Sequence, residues 1–325
     1  MSTVFLFPGQ GAQFPGMVKD ICQAVPEAMK VVTDAESISG EPLFKWLWDI
    51  EAQELSRSDR SQLSITVASL AVSKALQARG IKPSVCAGFS LGEFAALYTA
   101  GVLSFEDTIQ VVKQRGLIMQ RACEVIREAS KSADGEEKAP GMCAVIGLTP
   151  EQVVEALAPY SGSDGIAFPV NMNSPKQTVV SGTAEGLELC EKVCKEKGAR
   201  RVIRLQVAGP FHSPLMKKAS QEFEQVLNTV AFKDPELTLL SNVTGKKITI
   251  GEEAKQLAVK HFTHPVLWTT EEKEINEILQ QNTDNLLIEA GPGTVLTGLW
   301  RDSGYADTIS CVSCGTLEQL NLIKQ

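Results

Sequence analysis

Apolar residues along the chain follow two rhythms that alternate from segment to segment. Residues 4–7 form an unbroken apolar run stopped by Pro8, Gly9 and Gly11, the pattern of a strand buried on both faces that runs into a loop. Over residues 60–79 the apolar positions Leu63, Val67, Leu70 and Leu76 recur near a 3.6-residue period, with Gly80 as the stop, which predicts a helix. A second short apolar run, residues 85–88, leads directly to Ser90. Helical patterns follow at 92–98 and 104–126, the second opened by Ser104 and Asp107 in an S-x-x-D start.

Residues 127–140 are charged and small after Ile126 and predict an exposed loop or frayed helix end, hence a boundary. Beyond it the pattern predicts strands at 143–148, 167–172, 178–181 and 201–207, with helices at 150–157 and 185–197. That order is β-α-β-β-α-β, the ferredoxin-like motif. After Gly209 helix and strand mix again. Leu215, Ala219, Phe223, Val226, Leu227 and Val230 mark one helix face, and residues 286–289 form a strand closed by Gly291 and Gly293. The expected architecture is α/β: a large domain from residues 1–140 and 208–325, with a small βαββαβ unit inserted at 141–207. The chain carries no internal repeat.

Composition narrows the function classes. A chain of 325 residues with 43% hydrophobic content can build a substantial core without staples. A net charge of −8 disfavours nucleic acid and anionic membranes, which need a basic field. The eight cysteines are too sparse for a disulfide framework and read as reduced thiols. The first residues lack a basic leader, and no stretch approaches the roughly 18 apolar residues of a spanning helix, so cytoplasmic residence is the expectation.

Gly88-Phe89-Ser90-Leu91-Gly92 is a G-x-S-x-G sequence between a strand and a helix pattern, the context of a nucleophile elbow. Its glycines permit a tight turn that exposes the Ser90 hydroxyl and leaves the Leu91 N–H at a helix start, suited to a developing oxyanion. An ordinary packing turn would carry the same small residues. A serine nucleophile needs a base, and the chain offers only His212, His261 and His264. His212 follows a strand in Gly209-Pro210-Phe211-His212-Ser213-Pro214, where a side chain can enter a cleft. His261 and His264 end a helix before Pro265, where capping is the common role.

On its helix Arg115 has the apolar neighbours Val111, Val112, Ile118 and Met119 at spacings of three and four, so it faces inward. An inward guanidinium needs an anion, either a protein carboxylate or a ligand, or an escape to water. The glycine-rich segment at 7–13 lacks the order of a nucleotide loop. Its backbone N–H groups are free to supply a second oxyanion donor. The C-x-x-C of Cys311 and Cys314 lacks a second ligand pair, and Cys190 with Cys194 shares one helical face with Leu187, so both pairs read as core thiols, with no metal expected.

Together, residues 7–13, 88–93 and 114–116, Asn173-Ser174-Pro175, and residues 209–216 and 289–299 resemble the malonyl-CoA:acyl-carrier-protein transacylases, over nearly the whole chain. The resemblance implies an α/β-hydrolase-like domain with an inserted ferredoxin-like subdomain. It implies Ser90 as nucleophile, His212 as base, Arg115 as partner of the malonyl carboxylate, and the backbone N–H groups of Gln10 and Leu91 as oxyanion hole. Phe211 before the base is similar to members that use malonyl and exclude branched acyl groups. Phe89 replaces the histidine that usually precedes the nucleophile. His261 stands where the family usually has glutamine, whose backbone carbonyl orients the catalytic histidine.

The implied reaction is a ping-pong transfer through an acyl-Ser90 ester, with coenzyme A thioester as substrate, no cofactor, and an acyl carrier protein as acceptor. A thioester hydrolase on the same scaffold and an idle carrier-docking module are the alternatives. Because carrier proteins of this kind are acidic, the docking candidates are Lys217 with Lys218 and Arg200 with Arg201.

Overall fold

The structure, a computed structural model, describes residues 2–130, 139–162 and 165–323. The first apolar run forms β1 (Ser2–Phe7), buried along its whole length. Its side chains alternate between two cores. Phe5 and Phe7 pack into the main core around the Ser58–Ala78 helix, while Val4 and Leu6 join Trp268, Ile275, Leu296 and Trp300 on the opposite face. A strand covered on both sides needs apolar residues at every position, which is why the run is unbroken.

β2 (Val85–Gly88) pairs parallel with β1. The next four strands, β3 (Gly141–Ile146), β4 (Ala167–Ser174), β5 (Gln177–Gly182) and β6 (Arg201–Arg204), form a separate antiparallel sheet in the order β4-β5-β3-β6. The chain then returns to the first sheet with β7 (Thr238–Leu240), β8 (Lys247–Ile248), β9 (Asn285–Ala290) and β10 (Cys311–Cys314). That sheet runs β10-β9-β1-β2-β7-β8, parallel except for the β7/β8 edge pair. Both ends of the sequence therefore build one sheet, and the middle builds another.

The helices flanking the small sheet, Pro150–Leu157 and Ala184–Glu196, start at Thr149 and Thr183, whose hydroxyls each accept a backbone N–H of the first turn. Cys143 and Val145 of β3 face these helices, in a small core with Leu187, Cys190 and Cys194. Met142 and Ala144 face the other way, into the main core.

Several boundaries differ from the sequence reading. β3 starts at Gly141 and stops at Ile146, because Gly147 turns the chain at φ 102°. β6 stops at Arg204; the Leu205 N–H still donates to the Met142 carbonyl of β3 at 3.0 Å, and residues 205–207 line a cavity. The Lys217–Leu227 helix is shorter than its apolar face: Leu215 lies in the preceding 3-10 turn and Val230 beyond the helix. The helix after Ser104 runs on to Ala129; most of the expected boundary segment, residues 131–138, lies outside the described residues. Among the described residues, no helix is long and apolar enough to cross a membrane.

Candidate active site

β2 ends at Gly88 and the Gly92–Thr99 helix begins four residues on. Between them Ser90 adopts φ 51°, a left-handed conformation that costs a non-glycine residue about 1–2 kcal/mol. Both glycines of the turn are required by close approach. A Cβ on Gly88 would fall on the Gly92 carbonyl group, and one on Gly92 would fall on the Phe7 carbonyl oxygen of β1. The strained serine is held by its own N–H, which donates to Asn242 Oδ1 at 2.5 Å.

Ser90 Oγ lies 2.8 Å from His212 Nε2, and His212 Nδ1 lies 2.7 Å from the His261 carbonyl oxygen. A carbonyl only accepts, so Nδ1 carries the proton and Nε2 is left to accept from the Ser90 hydroxyl. His212 is also left-handed, at φ 60°, and buried. Its loop is tied down by Ser181 Oγ donating to the Phe211 carbonyl at 2.6 Å and by Ser213 Oγ donating to the Pro210 carbonyl at 2.7 Å. Burial, and then the charge of Arg115, push the His212 pKa down to about 4 against the pull of nearby carbonyls. The imidazole is neutral at pH 7 and able to take a proton.

Arg115 is buried, as its spacing predicts. Its guanidinium lies 5.4 Å from the Phe94 ring and 5.3 Å from the Phe262 ring, and Nη1 donates to Gln62 Oε1 at 2.6 Å. Nε and Nη2 have no hydrogen-bond partner, and among the described residues Arg115 makes no ion pair. These are the two donors of one edge of the fork, the edge that Arg57 uses to grip both oxygens of Asp59. Burial lowers the Arg115 pKa to about 10, so the cation persists at neutral pH. A buried cation with a free bidentate edge is a seat for an anion.

Ser90, His212 and Arg115 line one cavity of about 360 Å³. Gln10 and Leu91 line it too, and neither backbone N–H is engaged by another described residue. Phe211 forms part of the wall, as does Phe89, whose ring packs edge-on against Trp268 at 5.3 Å. The small sheet supplies Met142, Ala144 and Val179 from its outward face. Lys217, Lys218, Arg200 and Arg201 are exposed and lie outside the cavity lining. His264 is exposed at a helix end with Nδ1 3.0 Å from the Lys260 carbonyl, a capping arrangement. All eight cysteines are unpaired and buried.

Sequence reasoning missed two residues. Gln62 lies on the buried Ser58–Ala78 helix, and its signal was a large amide among small and apolar neighbours opposite an inward arginine. Asn242 follows β7, the neighbour of β2, and its signal was a polar residue at the carboxyl end of a parallel strand, where α/β sheets gather their sites. It joins Ser90 N–H, the Gly88 carbonyl (2.5 Å), Glu93 Oε2 (2.9 Å) and Glu271 Oε1 (3.0 Å). Burial raises the Glu93 pKa to about 7 and that of Glu271 well above the usual carboxylate range.

The chain and its fold have counterparts among known proteins. Residues 4–320 match the acyl transferase domain family. The chain is 35% identical over 295 residues to the malonyl CoA-acyl carrier protein transacylase of Bacillus subtilis strain 168, covering 91% of this chain and 88% of that one. An acyl carrier protein S-malonyltransferase from Vibrio cholerae superposes with a TM-score of 0.88 at 31% identity over 100% of both chains. A malonyl-transacylase in complex with its type II PKS acyl-carrier protein superposes with a TM-score of 0.87 at 32% identity, over 99% of this chain and 98% of that one. A strained serine bonded to a neutral histidine, beside a buried unpaired arginine, is thus set in a chain that belongs to the acyl transferase domain family, among the malonyl CoA-acyl carrier protein transacylases.

Proposed function

We propose that this chain moves a malonyl group from malonyl-CoA to the phosphopantetheine thiol of an acyl carrier protein through an acyl-Ser90 ester. The observation that carries the reading is the unpartnered Nε/Nη2 edge of Arg115 in the same cavity as the Ser90–His212 pair. A malonyl thioester has a reactive carbonyl at one end and a carboxylate at the other, which matches a nucleophile and a bidentate cation sharing one cavity. The relatives' named substrate and the complex with a carrier protein support the same choice.

In the first half-reaction Ser90 Oγ bonds to the thioester carbon as His212 Nε2 takes the hydroxyl proton. The Gln10 and Leu91 N–H groups hold the oxyanion. The C–S bond then breaks, and the proton passes from His212 to the departing sulfur of coenzyme A. The carrier thiol repeats the steps in reverse and regenerates Ser90. A thiol leaves with a pKa of about 8.5, far below that of an amine, so a histidine oriented by a carbonyl suffices where amide cleavage demands more. Phe211 narrows the wall against branched acyl groups. No metal or bound cofactor enters these steps. We assign residues 1–140 and 208–325 to an α/β-hydrolase-like domain and 141–207 to a ferredoxin-like subdomain, in a protein of the cytoplasm.

Intact-protein mass spectrometry after incubation with malonyl-, acetyl- or methylmalonyl-CoA tests the reading. A malonyl adduct that Ser90→Ala abolishes, and that carrier protein discharges faster than water, is expected, with methylmalonyl loading weakest. Release of free malonate at one rate with and without carrier would make the chain a hydrolase, and no adduct at all would make it a docking module. Lys217 and Lys218, exposed five and six residues beyond the base, are the first candidates to receive an acidic carrier, with Arg200 and Arg201 the second. Charge reversal of the lysines should raise the carrier KM by roughly 3- to 10-fold and leave malonyl-CoA loading unchanged. An unaltered KM removes them from the surface.

A further inference from the structure

Four hydrogen bonds close a ring through the nucleophile. Ser90 Oγ meets His212 Nε2 at 2.8 Å, His212 Nδ1 meets the His261 carbonyl at 2.7 Å, His261 Nε2 meets Asn242 Oδ1 at 3.1 Å, and Ser90 N–H meets the same Oδ1 at 2.5 Å. The backbone carbonyl of His261 accounts for one bond of the ring. Its side chain and Asn242 account for two more, and the reaction steps use neither group.

We propose that the His261 imidazole and the Asn242 carboxamide are positioning residues, which together hold Ser90 in its left-handed turn in register with the base. The proposal rests on Ser90 and His212 being nucleophile and base. The amide orientation of Asn242 follows from its partners. Its Nδ2 donates to the Gly88 carbonyl and to Glu271 Oε1, so Oδ1 is the atom turned to Ser90 and His261. Because Oδ1 only accepts, His261 Nε2 carries the ring proton and Nδ1 is bare. The buried Nδ1 of His261 has no hydrogen-bond partner, in keeping with that tautomer. His261 thus acts at two ends: its main chain sets the tautomer of His212, and its side chain braces the acceptor that holds the nucleophile's backbone. Without that acceptor the Ser90 N–H would be left unpaired beside a strained φ, and the turn would relax. The following N–H, that of Leu91, would swing with it, so the hydroxyl and an oxyanion donor would move together.

Substitution at position 261 separates the two ends, since every residue keeps a carbonyl. His261→Leu removes only the side-chain donor, whereas His261→Gln restores an N–H donor on a side chain of comparable reach. In single-turnover loading from malonyl-CoA, His261→Leu should acylate Ser90 roughly 10- to 100-fold more slowly with an unchanged KM, and His261→Gln should recover to within about 3-fold of the parent. Loading by the leucine variant at the parental rate overturns the proposal, as does failure of a glutamine variant of parental Tm to recover. A parental adduct that survives Ser90→Ala would instead overturn the assignment of the nucleophile. A measurement on the unaltered protein guards against variants that do not fold. With only three histidines in the chain, 15N imidazole NMR should resolve His261 as protonated at Nε2 and bare at Nδ1. The opposite tautomer would exclude the bond to Asn242 and with it the proposal.

Discussion

The two sheets meet at the cavity and contribute to it in opposite ways. The six-stranded sheet delivers its reactive groups at strand ends: Gln10 after β1, Ser90 after β2 and Asn242 after β7. These ends are crowded, and Ser90 sits there in a conformation its side chain disfavours. The four-stranded sheet offers a face instead. Met142, Ala144 and Val179 line the cavity through ordinary alternation, and no non-glycine residue of β3 to β6 has positive φ. The nucleophile and its backbone brace are therefore built where parallel strands end, with the base His212 brought in from the loop after β6, while shape is built on a regular surface whose other side closes its own core.

The largest expected effect tests that contrast directly. Gly92→Ala would drive a Cβ into the Phe7 carbonyl of β1, whereas a Cβ on Gly141 of β3 would make ordinary contact with Leu187 at 3.9 Å. We expect Gly92→Ala to abolish Ser90 loading and cost about 3 kcal/mol in urea denaturation, and Gly141→Ala to change stability by less than about 1 kcal/mol with loading intact. Equal damage from both would dissolve the distinction between crowded ends and a tolerant face.

Next in size is acyl selectivity. In Arg115→Ala a malonyl carboxylate loses its partner in a partly dry cavity, so malonyl kcat/KM should fall by about 2–4 kcal/mol, or roughly 30- to 1000-fold, while acetyl transfer persists. Ala144→Phe on the small sheet would fill the cavity from its wall and should depress both acyl groups alike. Equal malonyl and acetyl losses in Arg115→Ala, accompanied by a lower Tm, would reduce the arginine to a structural part.

The smallest effect concerns buried charge, which also separates the regions. Among the described residues the buried carboxylates Glu93, Glu271, Glu272 and Glu289 all lie outside β3 to β6 and their helices. Burial raises the Glu272 pKa to about 8, against the Trp268 Nε1 donor at 3.0 Å. A folded-state pKa above the unfolded value means that stability is fully present below about pH 4.5 and is lost as pH rises through 8. His212 has the opposite sign: its pKa of about 4, below the ordinary 6.5, removes stability as pH falls through that range. Between pH 6.5 and 8.5 the carboxylate effect stands alone of the two. Glu272→Gln should flatten the decline of Tm across that window by about 2–4 °C. A decline as steep as the parent's would mean that Glu272 stays neutral or gains an unseen partner.

The sequence by itself determined everything that depends on neighbours along the chain. The unbroken run of β1, the Ser104 cap, the βαββαβ order, the inward side of Arg115 and the small-residue frame of Ser90 follow from local periodicity and φ/ψ limits, and each is present in the structure. Tertiary structure alone decided which partners meet. Asn242 lies 152 residues from Ser90, and Gln62 lies 53 from Arg115. No periodicity marks an asparagine whose role exists only because β7 lies beside β2, or separates the imidazole of His261 from its carbonyl as a second point of support. The same limit shortened β6, whose pairing stops at Arg204 opposite Cys143 although β3 runs on to Gly141, because the apolar residues past that point turn to a cavity that the sequence does not show. Local rules fix the backbone conformation of a segment, whereas a hydrogen bond between segments depends on strand order and packing, which only the folded chain possesses.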